Sequence, residues 1–173
     1  MLPYNVELDG KTVLVTGVAG FIGSNLVMRL FHDFRNIRVI GIDSITDYYD
    51  VNIKYERLKE IESLDRDWTF VRASIADKDA IERIFSENKI SVVVNFAAQA
   101  GVRYSITNPD AYVQSNLIGF YNILEACRHY EVEHWFMLLH HQSMAVTRKF
   151  RIQLMTRLTT RSAFMQQQRR VTS

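Results

Sequence analysis

The sequence predicts an α/β fold in which a doubly wound parallel sheet is covered by helices. Three observations lead there. Short β-branched runs, "KTVLVTG", "NIRVIGID" and "ISVVVNFAA", recur along the chain, as they do in strands buried on both faces. Amphipathic or charged segments of helical length separate them, and strand alternating with helix argues a parallel sheet with right-handed crossovers. The first run ends in glycine and opens straight into an apolar-periodic stretch.

Taken in order, Lys11 to Gly17 is the first strand, and "FIGSNLVMRLFHDF" is the first helix, with Ile22, Leu26, Met28, Leu30 and Phe34 near one another around its turns. "NIRVIGID" is the second strand, "SITDYYDVN" a loop, and "IKYERLKEIESL" a charged helix. "WTFVRASI" is the third strand, ending in Ser74 and Ile75. "DKDAIERIFSEN" is a helix for which Asp77 is the expected N-cap. "ISVVVNFAA" is the fourth strand, and from Pro109 "PDAYVQSNLIGFYNILEACRHY" reads as one long helix with proline in its first turn. The pattern then calls for a fifth strand near "VEH", where the chain supplies the weakly strand-like "WFMLLHHQ". Residues 1–134 are expected to form one domain, and residues 135–173 receive no structural assignment.

Composition sets the outer bounds. With 173 residues, 47% of them hydrophobic, one domain with a sizeable core is expected. The formal charge of +2 hides an asymmetry: every acidic residue lies at or before Glu133, and everything later is basic or neutral. A basic tail can bind nucleic acid or an anionic membrane, but this one has few aromatics and no recognisable fold, so neither partner is expected. The single cysteine, Cys127, excludes a disulfide framework and reads as a packed core thiol in a reducing, cytoplasmic setting. No apolar stretch reaches 18 residues and no basic-then-apolar leader opens the chain, so no membrane span or export signal is expected. The adjacent His140 and His141 point in different directions on any regular element and lack a third ligand, so no metal is expected.

The strongest chemical signal is "VTGVAGFIG", with Gly17, Gly20 and Gly23 between a predicted strand and a predicted helix. In such a loop the first glycine makes a tight turn, the second lets backbone N–H groups approach a pyrophosphate, and the third lets helix pack on strand. The helix N-terminus then faces the anion. Asp43 ends the second strand 20 residues after Gly23, where a carboxylate accepts hydrogen bonds from ribose hydroxyls and repels a 2′-phosphate. NAD is therefore favoured over NADP.

Together "TGVAGFIG", "GIDSITDYYDVNIKYERL" and "NFAAQAGVRYSITNPDAYVQSNLIGFYNILEACR" resemble the extended short-chain dehydrogenase/reductase family, and within it the NAD-dependent sugar-nucleotide epimerases that interconvert UDP-glucuronate and UDP-galacturonate. The resemblance runs from about Lys11 to His134. It implies a Rossmann-type NAD-binding fold and a pyrophosphate cradle at Gly17, Gly20 and Gly23, with Phe21 and Ile22 between them. It further implies ribose recognition at Asp43, adenine contacts at Ser74 and Ile75, and cofactor contacts at Ala97 and Ala98. Val102, Arg103 and Ser105 would lie towards a UDP-hexuronate, with Arg103 a partner for the carboxylate. Intact relatives are expected to be homodimers. A sugar-nucleotide 4,6-dehydratase is the enzymatic alternative, and an NAD-binding remnant without catalysis the non-enzymatic one.

Such enzymes oxidise the sugar at C4 and return the hydride to the other face of a 4-keto intermediate. Their base is a tyrosine four residues before a lysine, after strand five. Here the last tyrosine, Tyr130, is followed four residues later by His134, so no catalytic residue is expected. The genetic code offers a reason. Reading the third base of each codon with the first two of the next, Met144–Ala145 forces glycine, Met155–Thr156 aspartate and Met165–Gln166 alanine. Permitted choices elsewhere restore a serine-rich strand end and a Tyr-Ala-Ala-Thr-Lys motif in the family's order. Residues from Trp135 onward are thus expected to be out-of-frame translation, where relatives continue into a substrate domain. DNA sequencing across the Trp135 codon tests this, and a chain so altered is expected to be aggregation-prone at an open sheet edge.

Overall fold

The computed structural model describes residues 6–138. Five parallel strands form one sheet in the order β3-β2-β1-β4-β5. These are β1 (Thr12–Thr16), β2 (Arg38–Asp43), β3 (Trp68–Arg72), β4 (Val92–Asn95) and β5 (His134–Met137). The order reverses between β1 and β4, which places a crevice at the carboxyl ends of those strands. Register fixes it: Thr16 stands beside Ile42 on one side and Asn95 on the other.

The alternation of strand side chains divides the core in two. Val13, Val15 and Val39 face one layer with Val27, Leu30 and Phe31 of α1 (Phe21–Asp33) and Leu58 and Ile61 of α2 (Val51–Glu62). Leu14, Ile40 and Val93 face the other with Ile81, Ile84 and Phe85 of α3 (Lys78–Glu87) and Ile123 and Ala126 of α6 (Phe120–His129). The predicted stripe on α1 holds in part. Leu30 is buried and Leu26, Met28 and Phe34 pack half-buried against the core, but the helix also buries Gly23, Ser24, Val27 and Phe31, and Ile22 is half exposed.

Other boundaries also differ from expectation. β3 stops at Arg72, and Ser74 and Ile75 follow in a turn where Ser74 Oγ accepts from the N–H of Ala76. The single long helix expected from Pro109 is interrupted: α4 (Val102–Thr107) and α5 (Pro109–Tyr112) precede a π-helical stretch, Val113–Gly119, which leads into α6. Wider turns of this kind often occur at functional sites. Here Asn116 reaches from the π-helical stretch to the backbone of Gln99, accepting from its N–H at 2.8 Å and donating to its carbonyl at 3.0 Å. Gly119 lies against Ile75, and Asn122 donates to the carbonyls of Ile75 and Ala76.

The fifth strand forms where the pattern calls for it, and it runs three residues past His134. Trp135 packs among the α3/α6 layer and Phe136 against the other. The Lys11–Glu133 ion pair, 2.8 Å, ties the entry of β5 to the start of β1. The tail beyond Leu138, with His140, His141 and the three methionines that force the alternative frame, lies outside the described residues.

Two expectations from local chemistry are testable here. Asp77 caps α3 by accepting from the N–H of Ala80 at 3.1 Å, so Asp77→Ala should lower unfolding free energy by about 1 kcal/mol in urea titration. Cys127 packs in the α3/α6 layer, and burial pushes its thiol pKa up to about 12. Iodoacetamide at pH 8 should therefore label it only after denaturation, which mass spectrometry reads directly.

Candidate functional site

The glycine loop joins β1 to α1 at the crevice. Gly17 adopts φ +67°, and a Cβ there would stand 2.8 Å from the backbone nitrogen of Ala97. Its N–H donates to Ile42 O at 2.8 Å, locking the turn onto β2. Gly23 packs the helix back on the loop, since a Cβ would meet Val18 Cα at 2.8 Å. Gly20 differs. A Cβ there would meet only the Gly17 carbonyl, at 3.1 Å, and otherwise open space.

Gly20 is also the N-cap of α1, with no capping side chain and no acidic residue in the first turn. The N–H groups of that turn, including those of Phe21 and Ile22, thus present partial positive charge to the space beside Gly20. This is the geometry that receives an anion such as a pyrophosphate. Phe21 and Ile22 themselves point away, 69% and 49% exposed.

Asp43, at the end of β2, is held by two backbone donors. Its Oδ2 accepts from the N–H of Ala19 at 3.1 Å and its Oδ1 from that of Ile45 at 2.8 Å. Each carboxylate oxygen keeps a further lone pair for a hydroxyl. Across β1, Thr16 Oγ1 donates to Asn95 Oδ1 at 2.6 Å and accepts from the N–H of Ala97 at 3.0 Å. That pair, buried, fixes the chain leaving β4.

These elements enclose one groove of about 230 Å³. Gly17, Gly20 and Asp43 lie along it. So do Ser74 and Ile75 at one end and Ala97 and Ala98 at the other. Gly23, Phe21 and Ile22 do not line it, and neither do Arg103 and Ser105, which with Val102 belong to α4, beyond its far end. Arg103 is exposed there, and the N–H of Ser105 is bonded to the Gly101 carbonyl.

Sequence reasoning overlooks other members of the groove, three of them polar side chains from separate elements. Ser115 reaches it from the π-helical stretch, and Tyr48 and Lys54 from the β2–α2 connection and α2. Lys54 is 5% exposed. Its Nζ donates to the carbonyl and hydroxyl of Thr46 at 2.7 and 3.2 Å and lies 4.6 Å from the centre of the Tyr49 ring. Burial draws its pKa below the ordinary lysine value, partly offset by the nearby Asp43 carboxylate. Below 10.5 the unfolded chain therefore holds a proton more firmly than the folded one. Stability should rise with pH through the window just under 10.5, and Lys54→Met should remove that rise in denaturation curves taken at successive alkaline pH values.

One Tyr-x-x-x-Lys spacing does occur, Tyr55 to Lys59, ahead of strand four, and the expectation of no such pair overlooks it. Both residues lie on α2 away from the groove. The Tyr55 hydroxyl accepts from Arg72 at 3.3 Å, so this pair does not face the site. Among the described residues, no three His, Cys, Asp or Glu side chains gather to hold a metal. No helix there is long and apolar enough to cross a membrane.

Residues 14–146 match the family model described as GDP-mannose 4,6 dehydratase. The chain belongs to the NAD-dependent epimerase/dehydratase family. Within that family it is 47% identical over 121 residues to Protein CapI of Staphylococcus aureus, covering 70% of this chain and 35% of that one. It is 42% identical over 121 residues to UDP-glucuronate 4-epimerase 4 of Arabidopsis thaliana, covering 69% of this chain and 26% of that protein. Among solved structures, UDP-glucuronic acid 4-epimerase from Bacillus cereus, in complex with UDP-glucuronic acid and NAD, superposes with a TM-score of 0.66 at 30% identity. That match covers 79% of this chain and 44% of the other. The chain spans about a third of the length of the curated relatives it matches.

Proposed function

We propose that this chain is the NAD-binding part of a sugar-nucleotide 4-epimerase acting on a UDP-hexuronate, and that alone it binds the cofactor without turnover. One observation carries the reading. The uncapped N-terminus of α1 opens on a groove with Gly20 at its floor and a doubly anchored carboxylate, Asp43, one strand away. Those residues fit a dinucleotide: the first turn of α1 meets the diphosphate, and Asp43 accepts from a ribose diol. Ser74 and Ile75 flank the adenine end, and Ala97 and Ala98 the nicotinamide end. When bound, NAD supplies the acceptor and donor of hydride for oxidation and reduction at the sugar C4.

The chain's own residues bind and orient, and the one Tyr-x-x-x-Lys pair, Tyr55 and Lys59, does not line the groove. Tyr-x-x-x-Lys is absent after β4, and loss of a positioned acid/base group costs about 10²–10⁴ in rate. Val102, Arg103 and Ser105 follow the nicotinamide end, which supports a hexuronate carboxylate meeting Arg103. A 4,6-dehydratase is the second reading, supported by the description of the matching family model and by 26% identity, at TM-score 0.65, to dTDP-glucose 4,6-dehydratase from Bacillus anthracis. Exposed Val113, Leu117, Ile118 and Tyr121 are consistent with homodimers among intact relatives, and a cytoplasmic setting accords with the lone packed thiol.

Calorimetric titration of the full chain with NAD tests the reading, alongside a spectrophotometric assay with UDP-glucuronate. Saturable NAD binding without epimerisation is expected. Absence of NAD binding overturns the assignment, and measurable turnover overturns the claim that catalysis is lacking.

A further inference from the structure

The connection between β2 and α2 does more than link them. Ser44, Thr46, Tyr48 and Tyr49 form one wall of the groove, and Gln99 and Ala100 lie on the other. The connection is fastened at two points. Towards α2, the Tyr49 hydroxyl accepts from Arg57 at 3.1 Å and its ring carries the Lys54 ammonium. Towards α4, the Tyr48 ring packs on Tyr104 with centroids 5.1 Å apart, and Tyr104 packs on Tyr112 at 6.3 Å.

Gly101 is the seat of the second fastening. It has φ +103°, and the Tyr112 hydroxyl donates to its carbonyl. Tyr48 lies directly over its α-carbon: a Cβ would stand 3.2 Å from Tyr48 Cζ and would overlap the hydroxyl oxygen. Any side chain at 101 would therefore dislodge Tyr48. The β2–α2 connection so held stands along an open groove of about 230 Å³.

We propose that Tyr48 seated on Gly101 is a clasp that retains the dinucleotide by holding the β2–α2 connection across the groove. The proposal rests on the NAD reading above. It assigns Tyr48, Gly101 and the supporting Tyr104 and Tyr112 to ligand retention, while Asp43 and the glycine loop provide recognition. Since most affinity differences within one site reside in the dissociation rate, loosening the clasp should act there.

Stopped-flow release of NADH from the full chain, followed by its fluorescence, tests this with Tyr48→Ala, Gly101→Ala and the double variant. Tyr48→Ala is expected to raise the dissociation rate about tenfold with a much smaller change in association. Gly101→Ala should act at least as strongly, since it also strains a backbone held at φ +103°, and the double variant should release NADH little faster than Gly101→Ala, because both changes break one contact. If Gly101→Ala fails to fold, Tyr48→Ala decides alone, since its side chain is 47% exposed. NADH binding with a dissociation rate within about twofold of the unaltered chain overturns the clasp and leaves the NAD reading standing. No NADH binding by the unaltered chain overturns both.

Discussion

Gly17→Ala should unfold or severely weaken this protein and abolish dinucleotide binding. The turn holds Gly17 at φ +67°, a left-handed conformation that costs an L-residue about 1–2 kcal/mol. The new methyl would also press on backbone, 2.8 Å from Ala97 N and 2.9 Å from Phe96 C, and overpacking of that kind costs about 1–3 kcal/mol more. The expected loss is about 2–5 kcal/mol, seen as a lower denaturation midpoint. The obstructing atoms cannot swing aside, because Thr16 Oγ1 and Asn95 hold that segment. A stable Gly17→Ala variant that still binds NAD would contradict this account of the loop.

Asp43→Ala should have the next largest effect, and on two quantities at once. The carboxylate holds the N–H groups of Ala19 and Ile45, so its removal leaves two partly buried donors without their acceptor, at about 1–3 kcal/mol each where water cannot replace it. It also removes the acceptor proposed for the ribose diol; hydrogen bonds to charged groups contribute about 1.5–3 kcal/mol, which corresponds to roughly 10–150-fold in affinity. Asp43→Asn separates the two roles. It keeps one acceptor oxygen and loses the negative charge, so stability should recover more than affinity, and discrimination against NADP should narrow. Equal loss of NAD and NADP affinity in Asp43→Asn would show that the carboxylate does not select the ribose.

The sheet was legible because each strand advertises itself: Val13, Leu14 and Val15, or Val92 and Val93, are buried on both faces and leave an unbroken apolar run. The glycine loop was legible because its spacing is imposed by contacts between Gly17, Val18 and Gly23. Other features leave weaker marks. A lysine in "NIKYERLKE" reads as one more solvated cation, so Lys54 gave no sign that it turns inward to Thr46. Wider helical turns have no distinctive composition, which is why Val113–Gly119 read as part of one regular helix. Tyr48, the first tyrosine of "DYYD", read as plain loop because its partners, Gly101 and Tyr104, are far away in sequence. The stripe assigned to α1 was legible in part: Leu30, Leu26, Met28 and Phe34 do pack on the core, but Val27 and Phe31 share that face and Ile22 leaves it.

Trp68 and Trp135, the two tryptophans of the chain, sit on β3 and β5, the strands at opposite margins of the sheet. Neither indole N–H has an acceptor among the described residues, and both nitrogens are buried. Each margin therefore carries its own intrinsic optical label. Replacing one tryptophan at a time with phenylalanine turns emission into a one-sided gauge, so fraying of the β5 rim, where the reading frame is in question, can be watched apart from melting of the β3 rim.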